Sequence, residues 1–420
     1  MKIIPQKTLF DYMEIEILGD LERCKLLIDN VEDEEIVNKL IEIRGKGRNE
    51  YPVIPVWNSI LIMPLLECST VEQLRRELSR NSDLRKLCGF NDADYYYGNS
   101  KLVPPAKAYT NMFKNLVKIE PLLKDCFYKL REFMYNNLEG FGKDVGEDGK
   151  IFLSKATAPN DNGDINDSRC DTDADYTLKE YFYKDSSGVT KSKKKKFFGF
   201  RYHLMADVNF ELPIEYTVTK ASKGEREQLK KQIEAMEESK REIIQTCSAD
   251  KGYDSKELIE FLKEKGISPV IDIKNHWKDG ETTKQYKDTQ IVYTYSGEVS
   301  YIDNKGEKQP MKYMGYDKVK ETLRYAYKGN VYSINISTDP RIFTPIARDS
   351  QKWQRIYNKR TALERINGRF DRDFNLENHR VRGLKKATVL IDIMMIGMMS
   401  MAKGHILNKQ INKIRCLKTL

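Results

Sequence analysis

Two short patterns in this chain could do metal-assisted chemistry on a phosphodiester. One is Asp250 followed by Lys251, Gly252 and Tyr253, at the end of a run (243–250) that reads as a strand closing in a carboxylate. The other is Tyr357, Arg360 and Glu364, spaced Tyr-x2-Arg-x3-Glu in a helical stretch. Offsets of three and seven residues fall within about 60° and about 20° of the starting direction on an α-helix, so the three side chains share one face. Attack at phosphorus needs an activated oxygen nucleophile and a stabilised leaving oxygen. Two Mg2+ ions about 3.5–4 Å apart supply both, with Mn2+ able to substitute, and such hard cations take carboxylate oxygens. The expected chemistry is that of a metal-dependent nuclease or strand-transfer site, its acids on two rigid elements and its Arg and Tyr turned to phosphate.

The elements that must hold these residues are legible around them. Residues 197–208 and 212–219 carry alternating aromatic or β-branched residues about a short turn and read as a hairpin. A charged amphipathic helix at 223–242, the strand at 243–250, a helix at 254–265 and a strand at 267–273 follow. Hairpin, helix, strand, helix, strand is the order of an RNase H-like mixed α/β sheet, with Asp250 at the carboxyl end of a parallel strand, where such sheets place their ligands. Residues 280–345 carry their own strand patterns and are too long for an ordinary connection, so they read as a β-rich insertion.

Upstream, Gly, Asp and Lys mark a boundary at 138–150, and 154–194 reads as a polar loop leading to the Lys193–Lys196 run, a solvated turn or a phosphate contact. Residues 52–90 read as an apolar helix and then a capping box at Thr70–Gln73, a pairing that fits a helix-turn-helix and a plain bundle alike. The organisation expected is a helical domain at 1–137, a catalytic core at 138–275, the insertion at 276–345, and at 346–420 a second part of the core with the Glu364 helix and a C-terminal helix.

At 420 residues and 40% hydrophobic, the chain can bury a sizeable core. The net charge of +9 is concentrated: residues 351–386 hold eleven Lys and Arg against four acids. A basic face around a catalytic carboxylate suits DNA, whose phosphates supply most of the affinity. The seven cysteines are scattered with no Cys-x-x-Cys pair, which argues against a zinc site or a disulfide framework and for reduced thiols in a cytoplasm. The first residues lack a signal-peptide core. The apolar run 387–402 contains Asp392 and is shorter than the roughly 20 residues that span a bilayer, so a buried helix and no membrane partner are expected. Asp171, Asp173 and Asp175 do not make a calcium loop, because Tyr176 and Phe182 stand where Gly and Glu are needed. Trp277 and Trp353 read as buried aromatics or as platforms for a displaced base, and His203 as a core or surface residue.

These patterns together resemble the DDE transposases of bacterial insertion sequences, in the group with the Tyr-Arg-Glu signature. The matching runs are RNEYPVIPVWNSI at 48–60, GFRYHLMADVNFELPIEYTVTKAS at 199–222, SADKGYDS at 248–255 and YNKRTALERINGRF at 357–370. The resemblance spans roughly residues 45 to 400. It implies a transposase that binds its element's terminal inverted repeats through the N-terminal domain, cleaves with Mg2+ and joins the ends to target DNA. It also implies a homodimer, a place on the bacterial nucleoid, and an insertion folded over the active site to hold the DNA end. A first catalytic Asp is implied at the end of the first strand, where Asp148-Gly149-Lys150 fits; Asp173 or a neighbour and Asp207 are the alternatives. Asp148, Asp250 and Glu364 would then hold the metals. Tyr357 and Arg360 would bind DNA, with Arg369 and Arg372, which flank Asp371 where the family places Lys or Arg seven residues after the glutamate. A catalytically inactive, transposon-derived DNA-binding protein and an RNase H-like nuclease without transfer activity are the other readings.

Overall fold

The computed structural model describes residues 19–45, 51–90, 102–159, 170–184, 188–278 and 280–417. They form two compact units, one drawn from the described residues within 1–137, 154–173 and 368–420, the other from those within 138–153 and 174–367.

The first unit is helical, with α1 (Glu22–Asn30), α2 (Glu34–Arg44), α3 (Val53–Ile62), α4 (Val71–Arg80), α5 (Ser82–Cys88), α6 (Ala106–Lys118), α7 (Glu120–Asn137) and the C-terminal α13 (Leu384–Leu407). The capping box is present: the Thr70 hydroxyl accepts from the Gln73 amide, and the Gln73 side chain accepts from the Thr70 amide. Leu74 and Leu78 then face inward one turn apart. Helix α13 packs along α7 and α1 and touches α3 and α6. Long and apolar enough to cross a membrane, it is buried in this unit on nearly every side, as a helix with no polar stripe must be in a bundle centre. The sequence reading joined 346–420 to the catalytic core, but contacts group 368–420 with the N-terminal helices, because the apolar surface of α13 is covered there.

The second unit is built on a sheet of β1 (Asp144–Leu153), β2 (Asp175–Lys184), β3 (Thr190–Asp207), β4 (Leu212–Lys220), β5 (Thr246–Ala249) and β6 (Ser268–Ile271). Its spatial order is β4-β3-β1-β5-β6, with β3 antiparallel to β1 and β4, and β5 and β6 parallel to β1. This is the RNase H-like mixed sheet. Helices α8 (Glu225–Ala235), α9 (Glu238–Arg241) and α10 (Lys256–Glu264) lie between the later strands, and α11 (Gln351–Asn358) and α12 (Thr361–Arg372) follow the insertion.

The hairpin is longer than its pattern suggested. Where a polar loop was expected, β2 pairs with the first half of β3 from Asp175 beside Gly199 to Lys184 beside Thr190. The lysine run therefore lies in a strand, exposed on both faces of a two-stranded ribbon, where alternation has no apolar side to display. Beyond β6 the insertion forms two antiparallel sheets that do not pair with the first. One has β7 (Lys284–Gln285), β8 (Ile291–Tyr293), β9 (Val299–Ile302) and β10 (Lys308–Pro310); the other has β11 (Lys312–Asp317), β12 (Thr322–Tyr327) and β13 (Asn330–Asn335). Tyr286, Tyr293, Leu323, Tyr325, Ile334 and Phe343 belong to one shared core, the β-rich insertion expected.

Candidate active site

Strands β1 and β5 run parallel, with Gly146 beside Ser248. Carried two residues on, that register sets Asp148 next to Asp250, which directly follows the end of β5. Adjacent strands are about 4.8 Å apart, so strand geometry forces these two carboxylates into one another's field. Burial pushes the Asp148 carboxyl above its ordinary 3.8, the Asp250 charge pushes the same way, and the Arg360 charge opposes both.

Each aspartate is held by its own donor. The Asn367 amide of α12 donates to Asp148 Oδ2 at 2.8 Å, while its Oδ1 accepts from the buried Tyr202 hydroxyl at 2.6 Å. Tyr202 is on β3, so this chain of bonds ties the Glu364 helix to the sheet at the aspartate. Asp250 Oδ1 accepts from the Gly252 amide at 2.6 Å and caps the tight turn Lys251–Tyr253.

Arg360 lies between α11 and α12, with its Nη2 donating to Glu364 Oε1 at 2.9 Å. The Glu364 side chain is 58% exposed. Tyr357 stacks on Trp353 at 4.8 Å, and its hydroxyl donates to Asp272 Oδ2 at 3.4 Å; Asp272 follows β6 as Asp250 follows β5. Trp353 is thus a buried aromatic. Trp277 packs edge-on against Tyr293 and Tyr295 in the insertion.

Asp148, Asp250 and Arg360 are therefore brought together, and Glu364 is held one ion pair away. Among the described residues no three acidic, histidine or cysteine side chains stand close enough to hold a metal as they are. The alternative first acids have other work. Asp207 accepts from the amides of Gly142, Asn209 and Phe210, a turn role. Asp171 accepts from Ser154 and from the Asp173 and Gly383 amides, and Asp173 from the Leu384 amide, so the pair anchors the start of α13. His203 is buried, lowered to about 3 by that burial, and bonded to Thr219, a neutral core residue. Arg369 is buried at 6% exposure, whereas Arg372 is exposed with its Nε donating to the Gly368 carbonyl.

Two residues escaped the sequence reading. Asn367 stands three positions after Glu364, an offset that keeps it near that face of the helix and could have singled it out. Glu225 opens α8, with Oε1 accepting from Arg201 Nη1 at 2.7 Å. Burial raises its carboxyl, Arg201 opposes, and Asp250 and Asp148 both raise it further. In sequence it is one more acid in a first helical turn, with no local mark.

The chain matches the transposase DDE domain family over residues 167–399, more than half of its length. It belongs to that family. The matched span of this DDE transposase contains Asp250, Tyr357, Arg360 and Glu364; Asp148 lies upstream, and its place comes from the β1–β5 register. No curated protein matches the chain. A piggyBac transposase synaptic complex with hairpin DNA, solved by cryo-EM, aligns at 12% identity over 97% of this chain and 80% of that one. Its TM-score is 0.38.

DDE transposases generally use divalent metals. The donor set of this one suits a hard cation: the carboxylate oxygens of the half-buried Asp148 and Asp250, mutually repelling, with Arg360 as the neighbouring positive charge at Asp148. Two glycines also let carboxylates lie directly against the backbone here. A β-carbon at Gly252 would lie 2.8 Å from Asp250 Oδ1, and one at Gly149 would lie 2.6 Å from Glu225 Oε1.

Proposed function

We propose that this transposase binds the terminal inverted repeats of its own element, cuts the DNA ends with Mg2+ and joins them to target DNA, acting as a homodimer. The observation that carries the reading is the pairing of Asp148 with Asp250 by strand register, inside a chain of the DDE family. Mg2+ bound there would activate the attacking oxygen and stabilise the leaving one. Asp148, Asp250 and Glu364 are the residues that would hold it, Mn2+ serving in its place. Glu364 must first leave Arg360, and a DNA phosphate arriving at Arg360 gives that guanidinium a new partner. Tyr357, fixed by its stack on Trp353 and with its ring 5.7 Å from the Arg360 guanidinium, would lie beside the same phosphate. The exposed Arg372 would add affinity for the DNA backbone, and Arg369, only 6% exposed, is left out of the proposed DNA-contacting set.

The test is nicking of labelled element-end duplexes by the purified chain in Mg2+ and in Mn2+, with and without chelator. Cleavage that needs the metal and falls in Asp250→Asn supports the reading; cleavage indifferent to both defeats it. A second reading, a DNA-binding protein without catalysis, is favoured by the Arg360–Glu364 ion pair and predicts end binding with no nicking in either metal.

A further inference from the structure

We infer that Glu225 is a fourth carboxylate of the metal site, facing the ion shared by Asp148 and Asp250. The inference rests on the metal-dependent reading above.

Its basis is position. Glu225 is the first residue of α8, on a different element from each of the two aspartates. Its Oε1 is fixed by Arg201, at 2.7 Å, in an ion pair that leaves the arginine side chain 10% and the glutamate 25% exposed. That contact sets the carboxylate plane and leaves Oε2 to point elsewhere. The glycines show where. A β-carbon at Gly252 would lie 3.4 Å from Glu225 Oε2 and 2.8 Å from Asp250 Oδ1, so those two oxygens are at most about 6.2 Å apart. One cation at Mg–O distances of about 2.1 Å spans about 4 Å between ligand oxygens, and a water in its coordination shell covers the rest. On the other side, a β-carbon at Gly149 would meet the same carboxylate at 2.6, 2.9 and 3.0 Å from Oε1, Cγ and Cδ. The residue after Asp148 and the second residue after Asp250 both lack a side chain where the Glu225 carboxylate sits.

A structural role alone explains less. As a partner for Arg201, the carboxylate could lie anywhere along the guanidinium; instead it is wedged between the backbones that carry the two aspartates, where like charges repel it. A shared cation would turn the mutual repulsion of these three groups into attraction, which the single Arg201 ion pair does for Glu225 alone. Glu225 would add negative charge and a water-holding oxygen to the site while Glu364 is still engaged by Arg360.

The test uses the full chain and Mn2+ alone, with free Mn2+ counted by electron paramagnetic resonance. Glu225→Gln keeps an oxygen for Arg201 and removes the charge. It is expected to weaken Mn2+ binding about 10-fold or more, with Glu225→Asp weakening it less. Asp250→Asn is the control. If Asp250→Asn weakens binding and Glu225→Gln changes it less than about twofold, the Glu225 inference is overturned and the metal reading stands. If neither changes it, the metal reading falls and takes the inference with it. A measurement on the unsubstituted chain guards against a variant that fails to fold: Fe2+ with peroxide and ascorbate cuts backbone near a bound ion. Cuts at 148–149, at 225 and at 250–252 that Mg2+ suppresses support the inference; cuts at both aspartates with none at 225 overturn it.

Discussion

Asn367→Leu removes the link between the Glu364 helix and the sheet without opening a large hole. Asn367 is 9% exposed, donates to Asp148 at 2.8 Å and accepts from Tyr202 at 2.6 Å. Leucine fills similar volume and makes neither bond. The lost bond to a charged carboxylate costs about 1.5–3 kcal/mol, and the Tyr202 hydroxyl, on a side chain with no exposed surface, is left without its acceptor at about 1–3 kcal/mol. The expected total is about 2.5–6 kcal/mol. Tyr202→Phe removes the stranded hydroxyl, so the double variant should be less damaged than the two singles summed, by about 1–3 kcal/mol. Native-state hydrogen exchange at the amides of β1 and β3 measures the opening of this sheet directly. A cost below about 1 kcal/mol for Asn367→Leu, or strictly additive costs, would show that the bonds do not act as one unit.

Other outcomes can be stated more briefly. Asp250→Asn and Glu364→Gln should each reduce metal-dependent nicking by about 100-fold or more while end binding on a mobility-shift gel stays close to normal; retention of a few per cent or more of activity would remove that residue from the ligand set. Replacing Lys193, Lys194, Lys195 and Lys196 together by Ala should lower the salt slope of duplex binding by up to about 3.6, because all four are exposed on the β2–β3 ribbon; an unchanged slope would leave them as solvated charge. Glu147, 1% exposed and with neither oxygen hydrogen-bonded among the described residues, has its carboxyl pushed well above its ordinary 4.5 by burial and then by Asp148, Glu225 and Glu215. Its folded form holds the proton longer than its unfolded form, so its stabilising contribution is complete below pH 4.5 and is lost as pH rises toward the folded value. In that window urea-unfolding stability of the unsubstituted chain should fall by about 1.4 kcal/mol per pH unit more than that of Glu147→Gln, and parallel profiles would count against a buried, protonated Glu147.

The sequence made the second half of the site legible because its spacing is local. Tyr357, Arg360 and Glu364 lie within eight positions, and Asp250 is marked by the turn it caps. The hairpin and the insertion announced themselves through alternation. β1 did not: with Asp144, Gly146, Glu147, Asp148 and Gly149 it lacks apolar alternation, because one of its faces carries the site and the other packs a buried acid against neighbouring elements. The lysine half of β3 was equally hidden, since a strand solvated on both faces has no inside to encode. Glu225 and Asn367 act through contacts with residues 24 and 219 positions away, which no window on the chain can see. The unit to which 368–420 belongs was misjudged for a related reason: the apolar character of α13 says that it is covered, not by which helices.

The helical unit takes its central helix from the far end of the chain, and this has a consequence during translation. Helices α1 to α7 are complete once residue 137 has been made, yet the helix that fills their middle ends at Leu407. At about 5–20 residues per second the ribosome needs roughly 15–50 s to bridge that gap. Through that interval the nascent helices display the apolar sides that α13 will cover, while the whole RNase H-like sheet is being made and can close upon itself. Chaperones have that long to engage the waiting helices. A premature stop codon ahead of α13 would therefore damage helices α1 to α7, made long before it, as well as the segment it deletes.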